Sequence, residues 1–232
     1  MLLLRRWLLF VAAVLVVAAC GAPVAPDPGL SKIEGTVYDW PGEPDPPLVL
    51  SVGMYIADDT VFSMSAASFV EIGPGWWAGA FAGVADDDFV LLPPGEEGLP
   101  DGVLVPAEDA LVNVVGAGCD LDVEPAGVKL SVTALSLLPI PLLVGLTPDG
   151  IVFMLTTDGP VVEEDDIDDA TLLTWVFADG PVTLTTDDDC SFAVDLSLRQ
   201  GWNQVGWRGE GPTVYLENAA DAELFSAAVL AP

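Results

Sequence analysis

The sequence predicts an all-β protein built from antiparallel β-sandwiches, and three observations support this prediction. Apolar and polar residues alternate along residues 128–134 and 192–198, and a period of two is typical of strands with one buried face. Clusters of Gly, Pro and Asp interrupt the chain at near-regular intervals and indicate turns between short strands. Few segments show the spacing of an amphipathic helix. The pattern favours two β units, residues 33–115 and residues 116–232.

The individual strands are predicted from runs of β-branched and aromatic residues between turn signals. In chain order they cover residues 33–40, 48–56, 61–68, 77–84, 89–92, 110–115, 128–134, 151–156, 172–177, 182–186, 192–198, 202–207 and 213–216. Residues 219–230 are rich in alanine and predict a short C-terminal helix. Residues 137–146 contain two prolines in an apolar run, so we expect them to cross or cap the core rather than form a central strand.

Residues 1–19 have the features of a secretory signal peptide. Arg5 and Arg6 precede the apolar residues 7–19, as a positive n-region precedes an h-region. A permanent transmembrane helix needs about 20 apolar residues, so this run is short for a spanning anchor. We expect export of the chain and removal of residues 1–19, by either the general or the twin-arginine route.

The tetrapeptide Val17-Ala18-Ala19-Cys20 resembles the lipobox of bacterial lipoproteins. The resemblance implies that the Cys20 sulfur receives a diacylglyceryl group and that Cys20 becomes the first residue of the mature chain. Two acyl chains suffice for stable membrane anchoring. Residues 20–32 then form the lipid anchor and a flexible linker with several prolines, and the protein is expected on the periplasmic or cell-surface face of a membrane. The alternative is a simple secreted protein.

Residues 33–37 (IEGTV) and 85–95 (ADDDFVLLPPG) resemble the opening strand and a later segment of carboxypeptidase-regulatory-like, transthyretin-like β-sandwich modules. The resemblance implies a sandwich over the first half of the chain and, because those modules are generally non-catalytic, no activity of its own. Residues 96–100 (EEGLP) depart from the pattern, since a tyrosine-centred strand should stand there.

The charge of the chain excludes one class of partner. It carries 36 acidic and 6 basic residues, a formal net charge of −30. Nucleic acids and anionic lipid surfaces both require cationic neutralisation, so we expect no nucleic-acid binding. Apolar residues make up 52% of the chain, enough to build a folded core despite this charge.

Cys119 and Cys190 are predicted to form a disulfide. An oxidising compartment favours a bond between two such cysteines. The alternative is a pair of buried free thiols that pack as small hydrophobic residues.

The composition argues against catalysis. The chain contains no histidine, which excludes the Ser-His-Asp and Cys-His systems and histidine zinc sites. The sequence also lacks a Gly-x-Ser-x-Gly elbow and a phosphate-binding Gly-rich loop. We therefore expect a protein that is not an enzyme. A glycosidase with two catalytic carboxylates is the remaining enzymatic alternative.

Asp120, Asp122 and Glu124 alternate along one predicted strand and form a candidate calcium site. Carboxylate oxygens are the ligands that Ca²⁺ prefers, and acidic runs at residues 163–169 and 187–189 add further carboxylates. The alternative is that these acids are simply solvated, as most like-charge runs are. No other cofactor is expected.

Trp76 and Trp77 form a candidate binding surface. Neighbouring residues of a strand point to opposite faces, so one indole can pack inward while the other offers a platform for a sugar or a protein partner. The alternative is that an adjacent loop covers the outward ring. Trp202 and Trp207 are expected to flank the last sheet.

Together these features predict a lipid-anchored, monomeric envelope protein that acts as a non-catalytic binding or structural module. Its expected partners are the membrane, through the acyl chains on Cys20, and an envelope protein, a glycan or a small ligand. The alternative is a receptor lipoprotein with an apolar pocket near residues 137–155.

Overall fold

The computed structural model describes residues 29–38, 49–55, 69–73, 76–83, 88–93, 95–99, 101–115, 119–131, 143–147, 150–160, 170–187 and 190–229. The predicted signal peptide, Cys20 and the strand predicted over residues 61–68 lie outside the described residues.

The fold is all-β, as predicted. The strands are β1 (Ile33–Tyr38), β2 (Val49–Tyr55), β3 (Phe69–Gly73), β4 (Trp76–Gly83), β5 (Asp88–Leu91), β6 (Leu104–Pro106), β7 (Leu121–Glu124), β8 (Lys129–Ser131), β9 (Leu143–Thr147), β10 (Gly150–Thr157), β11 (Leu172–Ala178), β12 (Val182–Thr186), β13 (Phe192–Leu198), β14 (Gly201–Glu210), β15 (Thr213–Asn218) and β16 (Phe225–Val229). A 3₁₀ turn covers Glu96–Gly98, and one α-helix, α1, covers Ala107–Val115 among the described residues.

The strands join into one curled sheet in the order β3-β4-β2-β9-β10-β11-β14-β15-β13-β12-β7. A branch leaves β10 through β16, β1 and β5, and β8 and β6 extend from β11. The sheet is mixed rather than purely antiparallel, because β1 pairs parallel with β16 and β13 pairs parallel with β15. These parallel partners are separated by other strands in the chain, as parallel pairing requires.

Strand β11 is buried on both faces and separates two hydrophobic cores. Leu173, Trp175 and Phe177 belong to the first core, whereas Val176 and Ala178 belong to the second. Successive side chains of a strand point to opposite faces, so this one strand supplies both cores. Its nearly continuous apolar sequence is typical of a strand covered on both sides.

The first core brings together distant parts of the chain. Its buried members are Ile33, Val37, Phe89, Leu91, Val103, Leu173, Trp175, Phe177, Trp202 and Leu224. The second core consists of Ala107, Ala110, Leu111, Leu130, Val176, Ala178, Val182, Leu184, Val194, Leu196, Leu198, Val205, Trp207 and Leu216. Edge-to-face ring contacts occur in each region: Phe177 with Trp202 and Phe192 with Trp207.

The strand predicted over residues 110–115 is wrong, because these residues belong to helix α1. Ala107, Ala110 and Leu111 are all buried in the second core, at the spacing of three and four residues that places side chains on one helix face. Glu108 and Asp109 occupy the first turn, where negative charge interacts favourably with the helix dipole. The valines near its end suggested a strand, but the buried positions follow the helical period.

The C-terminal helix predicted over residues 219–230 is also wrong. Residues 219–224 form a turn and an irregular segment, and β16 then pairs parallel with β1 and antiparallel with β10. Pairing on both sides supplies the backbone hydrogen bonds of this segment. Such tertiary contacts override the helix propensity of alanine, which is worth only tenths of a kcal/mol per residue.

The predicted disulfide is present. Cys119 lies just before β7 and Cys190 just before β13, with their Cα atoms 5.7 Å apart. The bond therefore ties together the beginnings of two strands that β12 separates in the sheet.

The division into residues 33–115 and 116–232 stays a prediction. Hydrogen-bonded ladders connect the two segments, since β1 pairs with β16, β2 with β9 and β6 with β8. Among the described residues, no helix combines the length and the apolar character needed to cross a bilayer.

Candidate functional site

A surface cleft of about 900 Å³ opens between two stretches of chain that lie far apart in sequence. One wall is formed by residues 29–36 together with β5, and the other by residues 218–224. Residues at the end of β13 and the beginning of β14 line the space between them. The lining includes Lys32, Glu34, Thr36, Asp88, Val90, Arg199, Trp202, Gln204, Asp221 and Glu223.

The first wall starts where the chain docks onto β14. The amide of Gly29 donates to the carbonyl of Gln200 at 2.8 Å, and the amide of Leu30 donates to the carbonyl of Trp202 at 2.7 Å. A Cβ atom on Gly29 would lie 2.5 Å from the Trp202 carbonyl oxygen. Glycine is therefore required for this approach, and Gly201 beside it has φ +98°, a conformation that glycine adopts readily.

The outer faces of β1 and β5 complete this wall. Thr36 donates a hydrogen bond from Oγ1 to Oδ1 of Asp88 at 3.1 Å, which links the two paired strands. Lys32 Nζ and Glu34 Oε2 form an exposed ion pair at 2.6 Å. The buried side chains of these strands, including Ile33 and Phe89, belong to the first core. Alternation along the strands thus gives the cleft a polar surface above an apolar support.

Gln204 holds the opposite wall in place. Its side chain is 8% exposed, and Nε2 donates to the carbonyls of Ala219 at 2.8 Å and Ala222 at 3.1 Å. The amide of Ala219 in turn donates to the carbonyl of Gln204 at 3.1 Å. The segment that was predicted to be helical is therefore fixed as an irregular wall by one buried amide side chain.

Replacing Gln204 with methionine is expected to destabilise the fold by about 1–3 kcal/mol, because two carbonyls lose their donor. Chemical denaturation followed by circular dichroism measures this loss. The same change at Gln200, whose side chain is exposed, is the matched control and should shift stability by no more than about 0.5 kcal/mol. Equal losses for the two variants would contradict the role assigned to Gln204.

The cleft carries more negative than positive charge. Its described lining includes the carboxylates Glu34, Asp88, Asp221 and Glu223 and the cationic side chains Lys32 and Arg199. Two of the carboxylates lie on each wall. The amide side chains of the lining bond within the protein: Gln204 donates to Ala219 and Ala222, and Asn203 bonds with the backbone of Arg199 and Gly201. The described lining of the cleft is thus polar, with more carboxylates than cationic side chains.

Arg208 lies outside the cleft and forms ion pairs with two carboxylates. Its Nη1 atom lies 2.9 Å from Oε2 of Glu210, and its Nε atom lies 3.6 Å from Oε1 of Glu217. The guanidinium also lies 4.7 Å from the centroid of the Tyr215 ring. The hydrogen bond with Glu210 is the main cause that raises the pKa of Arg208 above its ordinary value, so this charge is permanent.

The three acids of the candidate calcium site lie at the edge of the sheet. Asp120, Asp122 and Glu124 are all exposed, and the last two line a groove of about 310 Å³ with Thr183 and Thr185 of β12. Within the described parts of the chain, no three acidic, histidine or cysteine side chains converge as metal ligands. The acidic run at residues 163–169 lies outside these parts, and calcium binding stays an expectation.

The other predicted binding residues are placed only in part. Trp76 and Trp77 lie at the start of β4, opposite Tyr55 and Met54 of β2, but the hypothesis of an indole platform concerns side chains outside the described part of the structure. Trp202 and Trp207 are buried, 2% and 6% exposed. Residues 132–142, which contain most of the predicted core-crossing segment and part of the predicted apolar pocket, lie outside the described residues.

The cleft itself was not predicted from the sequence. Its walls come from residues 29–36, 88–90 and 218–224, and each contributes single polar residues rather than a motif. The sequence feature that comes closest to a signal is Gln204, an amide beside the buried Trp202 and Val205 of β14, since a buried polar residue must find a hydrogen-bond partner.

Fold and cleft together define the class: an all-β protein with a polar, acidic surface cleft. No known protein family matches the chain. No curated protein and no solved structure matches it either.

Proposed function

We propose that the protein is an exported, lipid-anchored envelope protein that binds a partner in the cleft and catalyses no reaction. The lipobox-like sequence ending in Cys20 supports the anchor. The cleft supports the binding role, since its volume of about 900 Å³ falls within the range of roughly 300–1,000 Å³ typical of ligand sites.

The single observation that carries the proposal is the short distance along the chain between the anchor and the cleft. Gly29, which forms part of the cleft wall, is hydrogen-bonded to the body of the protein. Only eight residues, 21–28, separate it from Cys20. Such a segment spans at most about 30 Å when fully extended. A lipidated Cys20 would therefore keep the cleft close to the membrane surface.

A non-catalytic role is proposed from the residue types available. The chain has no histidine, and the described cleft lining offers carboxylates, amides and hydroxyls. A carboxylate-dependent glycosidase would need two carboxyl groups about 5–10 Å apart across a bound sugar. A receptor lipoprotein remains the alternative function. Its ligand site is then this polar cleft instead of an apolar pocket near residues 137–155.

Metabolic labelling with palmitate tests the anchor. We expect the full-length protein to incorporate label, to fractionate with membranes, and to lose both properties on Cys20→Ser substitution, because lipobox lipidation requires the thiol. The matched control is Cys119→Ser, which removes a different cysteine and should leave the label in place. Incorporation that persists in Cys20→Ser, or no incorporation in the wild-type protein, would contradict the anchor.

A further inference from the structure

We propose that Asp101 is a site of spontaneous covalent modification, at which the aspartyl residue isomerises to isoaspartate. Four Asp-Gly pairs occur in the chain, at residues 101–102, 149–150, 158–159 and 179–180. Both residues are described for three of these pairs, since residue 149 lies outside the described part of the chain. Comparison of the three pairs singles out Asp101 as the reactive one.

The reaction takes place within an Asp-Gly pair and needs only water. The backbone nitrogen of the glycine attacks the aspartate Cγ atom, and its proton leaves with a side-chain oxygen as water, which closes a five-membered succinimide. Water then adds to the main-chain carbonyl carbon of the ring and breaks the bond between that carbon and the nitrogen. The chain now runs through Cβ and Cγ, with mass and oxidation state unchanged. Glycine favours the attack because it has no Cβ and adopts many backbone conformations.

The carboxylates of Asp158 and Asp179 are held by the backbone of another segment. Oδ1 of Asp158 accepts from the amide of Thr171 at 3.1 Å, and the amide of Asp158 donates to the carbonyl of Thr171 at 3.1 Å. Asp179 forms the same two bonds with Lys129, at 2.8 Å through its Oδ1 atom and at 3.0 Å through its amide. In both pairs the carboxylate must therefore leave its hydrogen bond before the glycine nitrogen can attack Cγ.

Asp101 lacks such a restraint. Asp101 and Gly102 are both exposed and form a turn that precedes β6. The Asp101 carboxylate and the Gly102 amide form no hydrogen bond with another described residue. The two groups that must meet are therefore unrestrained by such a bond. Isomerisation adds one main-chain atom shortly before Val103, which is 1% exposed in the first core.

Peptide mapping of the aged full-length protein tests the proposal. The purified protein is stored at neutral pH and digested, and the peptides that contain residues 101, 158 and 179 are assayed for isoaspartate by enzymatic methyl transfer from S-adenosylmethionine. In the folded protein we expect isoaspartate to accumulate about tenfold faster at Asp101 than at the other two sites, because one charge-assisted hydrogen bond must break there first. In protein unfolded by guanidinium chloride, the three pairs should react at similar rates.

Two variants give a matched comparison in the folded protein. Asp101→Glu keeps the charge, but glutamate has to close a six-membered ring, which forms far more slowly, so most of the isoaspartate should disappear. Asp221→Glu changes an exposed aspartate that precedes alanine and should leave the total unchanged.

Three results would overturn the proposal. The first is an equal rate at the three sites of the folded protein, and the second is the absence of isoaspartate at Asp101. The third is a rate difference that persists in guanidinium chloride, because the neighbouring sequence and not the two pairs of hydrogen bonds would then be its cause.

Discussion

Replacing Trp175 with alanine is expected to lower the free energy of unfolding by about 3–5 kcal/mol, the usual cost of truncating a fully buried tryptophan. Trp175 is completely buried in the first core. It lies in the middle of β11, the strand that separates the two cores, so the surrounding sheet cannot easily collapse into the space left behind. Urea denaturation followed by far-ultraviolet circular dichroism measures the change without relying on indole fluorescence.

Two controls isolate the cause of this loss. Within the described residues, the indole Nε1 of Trp175 has no hydrogen-bond partner, so Trp175→Phe removes volume without breaking a hydrogen bond and should cost less than about 2 kcal/mol. Val90→Ala, at an exposed position of β5, should change stability by about 0.5 kcal/mol or less. A phenylalanine variant as unstable as the alanine variant would show that the indole nitrogen matters and would contradict this account.

Removing the disulfide is the second large effect. The double substitution Cys119→Ala and Cys190→Ala is expected to cost about 4 kcal/mol, because the bond closes a long loop in the unfolded chain. The two cysteines are 71 residues apart in sequence. Alanine avoids placing a hydroxyl at Cys190, which is 6% exposed. Denaturant midpoints of the oxidised wild-type protein and the double variant give the difference.

Reduction provides the control for the disulfide prediction. A reducing agent should bring the wild-type protein close to the stability of the double variant and should leave the double variant unchanged, because the double variant has no bond between positions 119 and 190 to reduce. Cys20 is present in both proteins. The prediction fails if the oxidised wild-type protein and the double variant unfold at the same denaturant concentration. It also fails if reduction destabilises both proteins equally.

Local patterns predicted the elements whose burial follows a simple period. Strand β13 alternates between buried and exposed residues, and its limits agree with the prediction for residues 192–198. Strand β11 is apolar at every position except Thr174, as is typical of a strand between two cores. The pairing of Cys119 with Cys190 followed from the number of cysteines and the expected compartment. In each case the prediction needed only a short segment of sequence or the number of cysteines in the chain.

The remaining features depend on partners that are distant in sequence. Residues 225–229 form a strand because β1 and β10 lie on either side of them, and alanine content alone cannot reveal these neighbours. The three buried residues of helix α1 follow the helical period. The valines in the same segment favoured a strand prediction and obscured this period. The cleft arises where residues 29–36 and 218–224 diverge beside β14, and no single window of sequence contains it.

The position of β16 has a consequence for the order in which the molecule assembles. This strand lies between β1 and β10, and it follows both of them in the chain. Until β16 is synthesised, β1 and β10 each have a strand edge that lacks this pairing partner. Exposed edges of this kind invite pairing with other chains, so the growing polypeptide is vulnerable to aggregation between the synthesis of β10 and that of β16.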